Sequence, residues 1–228
     1  MGIIKTVALD ADDTLWQNEE FFRLTQDRFA DLLAPYMAPD PLHLRLLAAE
    51  RKNIGRYGYG IKGFMLSMIE TAIEVSEGRV PAPVISEILA MGQDMLAHPI
   101  HLLDGVADGV VWLAERYQVV LITKGDLLHQ EQKVAASGLG DHFDQVHIVS
   151  EKTTQTYHNI IDDPASAVMV GNSMKSDIVP ALAAGMHAIH IPARYEWALE
   201  LAETPAQNSR FHTAKSFTNV AHILTNLS

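Results

Sequence analysis

The sequence predicts an α/β fold: a parallel sheet with helices on both faces, into which an all-helical module is inserted. Three observations lead there. Beyond Pro99 short aliphatic runs alternate with helical patterns, which implies right-handed crossovers between parallel strands. A first strand ends near Leu9 but finds no crossover partner until after residue 99. Residues 17–98 carry helical spacing and no convincing strand, so they read as an insertion after that first strand.

Ile3, Ile4, Val7, Ala8 and Leu9 crowd into a length too short for a stable helix, and β-branched and aliphatic residues favour a buried strand. The strand stops abruptly at Asp10-Ala11-Asp12-Asp13-Thr14. In the inserted module, Phe21, Phe22, Leu24, Phe29, Leu32 and Leu33 give a helix over 19–37 that stops before Pro39, and Pro41 opens a second, to about Asn53. Gly55 to Gly63 holds four glycines in nine residues, which predicts an irregular loop. Two further helices follow, over 64–76 and 83–98.

Past Pro99 the expected order is helix 105–116, strand 118–123, helix 127–137, strand 145–149, helix 154–161, strand 167–170, helix 174–184 and strand 187–191. His187 and His190 fall on opposite sides of the last strand and read as packed residues. Asp162-Asp163 before Pro164 reads as a turn.

Composition narrows the function. The chain has 228 residues, a formal charge of −11 and no cysteine. The acidic balance argues against a nucleic-acid backbone as partner. Without cysteine there is no disulfide, thiol nucleophile or cysteine-ligated metal, which fits a reducing cytoplasm. No apolar run reaches a membrane span, and the amino terminus lacks a secretory pattern, so no membrane partner is expected. The acylation pattern beginning at Gly2 runs straight into the first strand and is read as incidental. The eleven histidines show no metal-ligand spacing.

The candidate chemistry lies where the strands end. In open parallel sheets ligands bind at the carboxyl edge, so Asp10, Asp12 and Asp13 stand where chemistry is expected. Close carboxylates repel, and a hard cation with a preference for oxygen, such as Mg²⁺, would relieve them. The second strand ends in Thr123-Lys124-Gly125, where a hydroxyl and free amides at a helix start suit an anion. Lys152 follows the third strand. Gly171-Asn172 ends the fourth, and Asp177 lies in the first turn of the next helix. Taken singly, Thr123 and Ser173 read as helix caps and Lys152 as a solvated lysine; the order of all of them along successive strands points to one site.

These residues resemble the haloacid dehalogenase-like hydrolase superfamily. Its aspartate pair followed by threonine matches Asp10, Asp12 and Thr14; its serine or threonine matches Thr123; its lysine matches Lys152; its acidic fourth motif matches Gly171-Asn172 through Asp177, with asparagine where many members carry aspartate. The resemblance implies a Rossmann-like catalytic core over 1–16 and 99–228 with a helical cap over 17–98, lying beside the acids like a lid. It further implies Mg²⁺-dependent phosphatase chemistry on a small phosphorylated metabolite through an aspartyl-phosphate. Asp10 would be nucleophile and Asp12 general acid and base. Thr123, the Lys124 amide and Lys152 would bind phosphoryl oxygens; Asp10, the Asp12 carbonyl, Asn172 and Asp177 would hold the metal. Dehalogenase-like members lack an acid at position 12, so Asp12 points to phosphate esters. Asn172 removes one negative charge, which predicts weaker Mg²⁺ binding and leaves open a poorly catalytic phospho-ligand binding protein; a phosphomutase is the other alternative.

Specificity is expected in the helical module. Arg56, Tyr57, Tyr59 and Lys62 lie on the glycine-rich stretch, where cations suit a second anionic group. Trp16, just after the acids, is read either as lining the entrance or as packing in the core or hinge.

Overall fold

Leu9 ends the strand that runs through the middle of the sheet, and where it stops fixes where its neighbours deliver their side chains. The computed structural model describes residues 3–227; the acylation pattern beginning at Gly2 lies outside them. The strands are β1 (Thr6–Leu9), β2 (Gln118–Lys124), β3 (Gln145–Val149), β4 (Ala167–Gly171), β5 (His187–His190) and β6 (Phe211–Thr213). Their order is β3-β2-β1-β4-β5-β6 and every pairing is parallel. This is a Rossmann-like α/β sheet with flanking helices. Chain order reverses at β1, which pairs with β2 on one side and β4 on the other, so the crevice at its carboxyl end is a topological switch point.

Alternation along the strands builds two cores. Val7 and Leu9, Val119 and Leu121, and Val168 and Val170 face one side, where they meet Val106, Val110 and Leu113 of α5 (Val106–Ala114) and Leu224 of α9 (Val220–Leu227). Ala8, Val120, Ile122 and Met169 face the other, against Tyr157 of α7 (Thr154–Ile160) and Ala181 of α8 (Val179–Ala183). Each large aliphatic buried this way contributes roughly 1.5–3 kcal/mol, and a strand buried on both faces must be apolar throughout.

The chain divides into two units. One holds the sheet: residues through Glu19, Ile100–Lys124, and everything from Gln130 onward. The other spans Glu20–Pro99 together with Gly125–His129. In that second unit α1 (Glu19–Leu32), α2 (Pro39–Tyr57), α3 (Ile61–Val75) and α4 (Ala82–Leu96) enclose their own core of Phe29, Leu33, Leu46, Phe64, Met68, Ile88 and Met91.

Several elements differ from expectation, each for a physical reason. α1 stops at Leu32 because the chain tightens into turns, Ala34 N–H bonding Asp31 O and Tyr36 N–H bonding Leu33 O. α2 starts at Pro39 and not Pro41, since a proline at the first helical position loses no hydrogen bond. It then runs through Gly55 to Tyr57, and α3 takes up Lys62 and Gly63, so the expected nine-residue loop shrinks to Gly58-Tyr59-Gly60. Gly58 and Gly60 carry φ of 74° and 100°, which breaks the helix there; Gly63 is helical and leaves room for the Gly58 carbonyl.

The expected helix 174–184 is two pieces. Met174–Ile178 winds as a π turn, with Ile178 N–H bonding Ser173 O at 3.2 Å, before α8 begins. Pro180 cannot donate to the Ser176 carbonyl, and the buried Tyr157 hydroxyl takes that acceptor at 3.0 Å. Among the described residues no helix is long and apolar enough to cross a membrane.

Candidate active site

Asp10 keeps its backbone in the sheet, its N–H donating to Val170 O at 2.9 Å, while its side chain enters the crevice beyond the strand end. The carboxylate is buried. Oδ1 accepts from Lys152 Nζ at 2.5 Å and Oδ2 from Thr14 Oγ1 at 2.9 Å. The same Lys152 ammonium donates to Asp177 Oδ1 at 2.7 Å. Asp177 Oδ2 in turn accepts from Ser173 N–H at 2.9 Å, which pins the carboxylate to the start of the π turn. Gly171 makes this approach possible, because a Cβ there would overlap the Asp177 carboxylate. Thr14 Oγ1 also accepts from Asn172 N–H at 3.1 Å, with Asn172 Oδ1 3.3 Å away.

Two carboxylates therefore share one cation in a buried crevice. Burial, then the Asp177 charge, pushes the Asp10 carboxyl up to about 7 against the pull of Lys152. Burial opposes the charge on Lys152, yet Asp10 and Asp177 hold its ammonium well above the usual lysine range.

Asp12 lies in a different environment. Oδ1 accepts from Trp16 Nε1 at 2.7 Å and Lys133 Nζ at 2.5 Å, and Oδ2 from Gln130 Nε2 at 2.9 Å. Burial works to raise it, but the Lys133 charge and hydrogen bonds from Lys133, Gln130 and Trp16 outweigh that and hold the carboxyl below its usual range. Gln130 Nε2 also approaches Thr123 Oγ1 at 3.0 Å and Lys124 O at 2.6 Å, so one amide ties the acid to the Thr123 hydroxyl. Asp13 is structural: at φ 59° its Oδ1 accepts from Asn18 and Glu19 N–H at 3.0 and 3.1 Å, seating the start of α1.

Asp10, Thr14, Lys152, Asn172 and Asp177 are thus brought together, and Asp12 is joined to Thr123 through Gln130. The Lys124 side chain is engaged elsewhere, donating to Ser176 Oγ at 2.7 Å, Glu200 Oε1 at 2.8 Å and Glu151 Oε1 at 3.3 Å. Trp16 is no entrance residue: its side chain is fully buried in the sheet's core and its indole N–H serves Asp12. In the helical unit, Arg56 lies in the last turn of α2, Tyr57 ends it, and Lys62 Nζ donates to Asp126 Oδ1 at 2.9 Å. Sequence reasoning missed Lys133, Gln130 and Glu200. The first two sit three apart on α6 (Leu127–Ser137) and share a helical face, a signal that was readable; Glu200 lies in no regular element.

The donors suit a hard divalent cation. Asp10, Asp177 and Asn172 supply carboxylate and amide oxygens close together, and two buried carboxylates share the one Lys152 ammonium. Among the described residues no three His, Cys, Asp or Glu side chains converge as a metal cluster. A set completed by the Asn172 amide and a backbone carbonyl does not require one.

Residues 4–185 match the model of the haloacid dehalogenase-like hydrolases. No curated protein matches the chain. Among solved structures, a haloacid dehalogenase-like hydrolase from Xanthomonas campestris is 40% identical over 98% of this chain and 91% of its own, with a TM-score of 0.88. The HAD-hydrolase YfnB of Bacillus subtilis, bound to magnesium, is 13% identical over 98% and 99%, at 0.69. L-2-haloacid dehalogenase from Xanthobacter autotrophicus, with chloropropionic acid covalently bound, is 16% identical over 99% and 100%, at 0.63.

Proposed function

The chain belongs to the haloacid dehalogenase-like hydrolases, and from that premise we propose that it is a magnesium-dependent phosphatase which hydrolyses a small phosphorylated metabolite in the cytoplasm. The observation that carries this reading is the difference between its two acids: Asp10 is buried against Lys152, while Asp12 is held by Lys133, Gln130 and Trp16. A halide leaves without a proton. An alkoxide does not, and a fixed acid two residues from the nucleophile serves that need.

In this mechanism an Asp10 carboxylate oxygen attacks phosphorus, the bond to the leaving oxygen breaks, and an aspartyl-phosphate forms. Asp12 gives the leaving oxygen its proton and is left ionised, its charge held by the Lys133 ammonium. Asp12, ionised, then removes a proton from the attacking water, the bond between phosphorus and Asp10 breaks, and phosphate departs. Lys152, Thr123 and the Lys124 amide hold phosphoryl oxygens as their charge redistributes. The Asp10 carboxylate, the Asp12 carbonyl, Asn172 and Asp177 would hold magnesium, which when bound neutralises negative charge on the phosphoryl group. Arg56, Tyr57, Tyr59 and Lys62 of the helical unit, acting as a cap, are assigned to choice of substrate.

A panel of phosphomonoesters assayed with Mg²⁺ tests the proposal. Release of inorganic phosphate that Asp10→Asn abolishes supports it. No release above that variant for any ester overturns it, and phosphate transferred within a sugar phosphate instead of released would identify a phosphomutase.

A further inference from the structure

Glu200 lies in the irregular stretch between β5 and β6, beyond the residues that match the family model. Its carboxylate is nonetheless where three hydrogen bonds from two distant parts of the chain converge. Lys124 Nζ donates to Oε1 at 2.8 Å, and both Ser173 Oγ, at 2.5 Å, and Ser176 Oγ donate to Oε2. The main chain anchors the same stretch: Lys175 N–H bonds Glu200 O at 3.2 Å and Lys175 Nζ bonds Leu199 O at 2.8 Å.

Counting protons shows why a carboxylate is needed. A hydroxyl has one hydrogen to give. Ser173 Oγ accepts from Ser176 N–H at 3.0 Å, and Ser176 Oγ accepts from Lys124 Nζ at 2.7 Å, so both hydroxyls direct their single proton to Glu200. Burial works against the charge, yet the Lys124 cation and the three donors hold the Glu200 carboxyl below its usual range. An acceptor with no proton of its own is the only group that satisfies all three donors at once. Ser173 caps the π turn and Ser176 lies in it, and this backbone orients Asp177, because Ser173 N–H donates to Asp177 Oδ2 and Asp177 N–H to Ser173 O, both at 2.9 Å.

We propose that Glu200 is a positioning residue which, through Ser173 and Ser176, fixes the Asn172–Asp177 turn in the conformation that binds a divalent cation. The proposal rests on the metal-dependent reading above and deepens it. Removing the carboxylate leaves two hydroxyl donors and an ammonium in a largely buried place, and the turn rearranges to find other acceptors. Asp177 then loses the backbone bond that aims it. Losses from such outer partners of a metal site are typically 10–100-fold in metal affinity.

The test titrates Mg²⁺ calorimetrically into the full chain and its variants well below their melting temperatures. Glu200→Ala should weaken Mg²⁺ binding about ten-fold, while kcat at saturating Mg²⁺ and KM for the phosphoester move far less. Glu200→Gln retains a neutral acceptor and should fall between it and the wild type. Asp177→Asn is the control for the metal site itself. Wild-type Mg²⁺ affinity in Glu200→Ala, with binding lost in Asp177→Asn, overturns the role of Glu200 alone, even if the melting temperature drops. Should Glu200→Ala not fold, Glu200→Gln decides by the same comparison. If the wild type binds Mg²⁺ no better than Asp177→Asn, the metal-dependent reading fails and takes this proposal with it.

Discussion

Lys133 Nζ donates to Asp12 Oδ1 at 2.5 Å, from a lysine whose side chain is almost sealed from solvent. The contact holds in place the acid assigned to the leaving group and stabilises the carboxylate left once its proton is given. Lys133→Met is therefore expected to slow hydrolysis of an alkyl phosphate by about 10²-fold, at the low end of what general acid catalysis contributes. p-Nitrophenyl phosphate, whose leaving group needs no proton, should lose much less. Steady-state kinetics on the two esters checks this, and equal losses on both would show that Lys133 does not act through the leaving-group acid.

Lys152 holds Asp10 and Asp177 together from a position with almost no exposure. Taking away one partner of a buried ion pair typically costs about 3–5 kcal/mol, because the charges left behind are neither solvated nor paired. Lys152→Met should lower stability by that order in metal-free buffer, measured by urea unfolding. Added Mg²⁺ should restore more stability to the variant than to the wild type, since the cation takes over the neutralising role. A variant as stable as the wild type without Mg²⁺ would contradict the shared-cation arrangement.

Most of the sheet and the acid cluster could be read from residues that sit next to one another in sequence. Val7 to Leu9 announces a buried strand, and the carboxylates that follow cannot be buried without partners. The partners were harder to see. Lys152 and Asp177 were found because each follows a strand end, where topology makes the destination predictable. Lys133 and Gln130 lie on a helix face whose orientation depends on how α6 packs. Glu200 reaches the site from a stretch with no periodicity at all. β6 was invisible because three residues, Phe211–Thr213, establish no pattern, and the π turn because it depends on Pro180 freeing a carbonyl to which the Tyr157 hydroxyl, far back in the chain, donates.

Glu50 predicts a pH dependence confined to the helical unit. It lies on the buried face of α2 and is 7% exposed, and burial alone pushes its carboxyl from 4.5 to about 7. The folded state thus binds this proton more tightly than the unfolded chain does. Its full stability is present below about pH 4.5 and is lost as pH rises through about 7, a difference of roughly 3 kcal/mol. Glu50→Gln should remove that loss, so the variant and the wild type should differ little at pH 4.5 and by that amount at pH 8. Urea unfolding of both proteins across this range measures the difference, and parallel curves would contradict the assignment.

Gly171 and Gly185 each require glycine, for opposite reasons, and one pair of alanine variants separates them. At Gly171 the backbone is ordinary, but an added Cβ overlaps the Asp177 carboxylate, so the cost falls on the site. At Gly185 the nearest atom to such a Cβ is Arg210 Nη1 at 3.5 Å, while φ is 91°, so the cost falls on the backbone. Gly171→Ala should destabilise the fold by about 1–3 kcal/mol, as overpacking does, and should abolish Mg²⁺-dependent phosphate release because Asp177 is displaced from Lys152. Gly185→Ala should cost about 1 kcal/mol through its left-handed conformation and leave turnover intact. Unfolding curves and phosphate release on both variants distinguish the two. Full turnover in Gly171→Ala would show that Asp177 need not stand where Lys152 holds it.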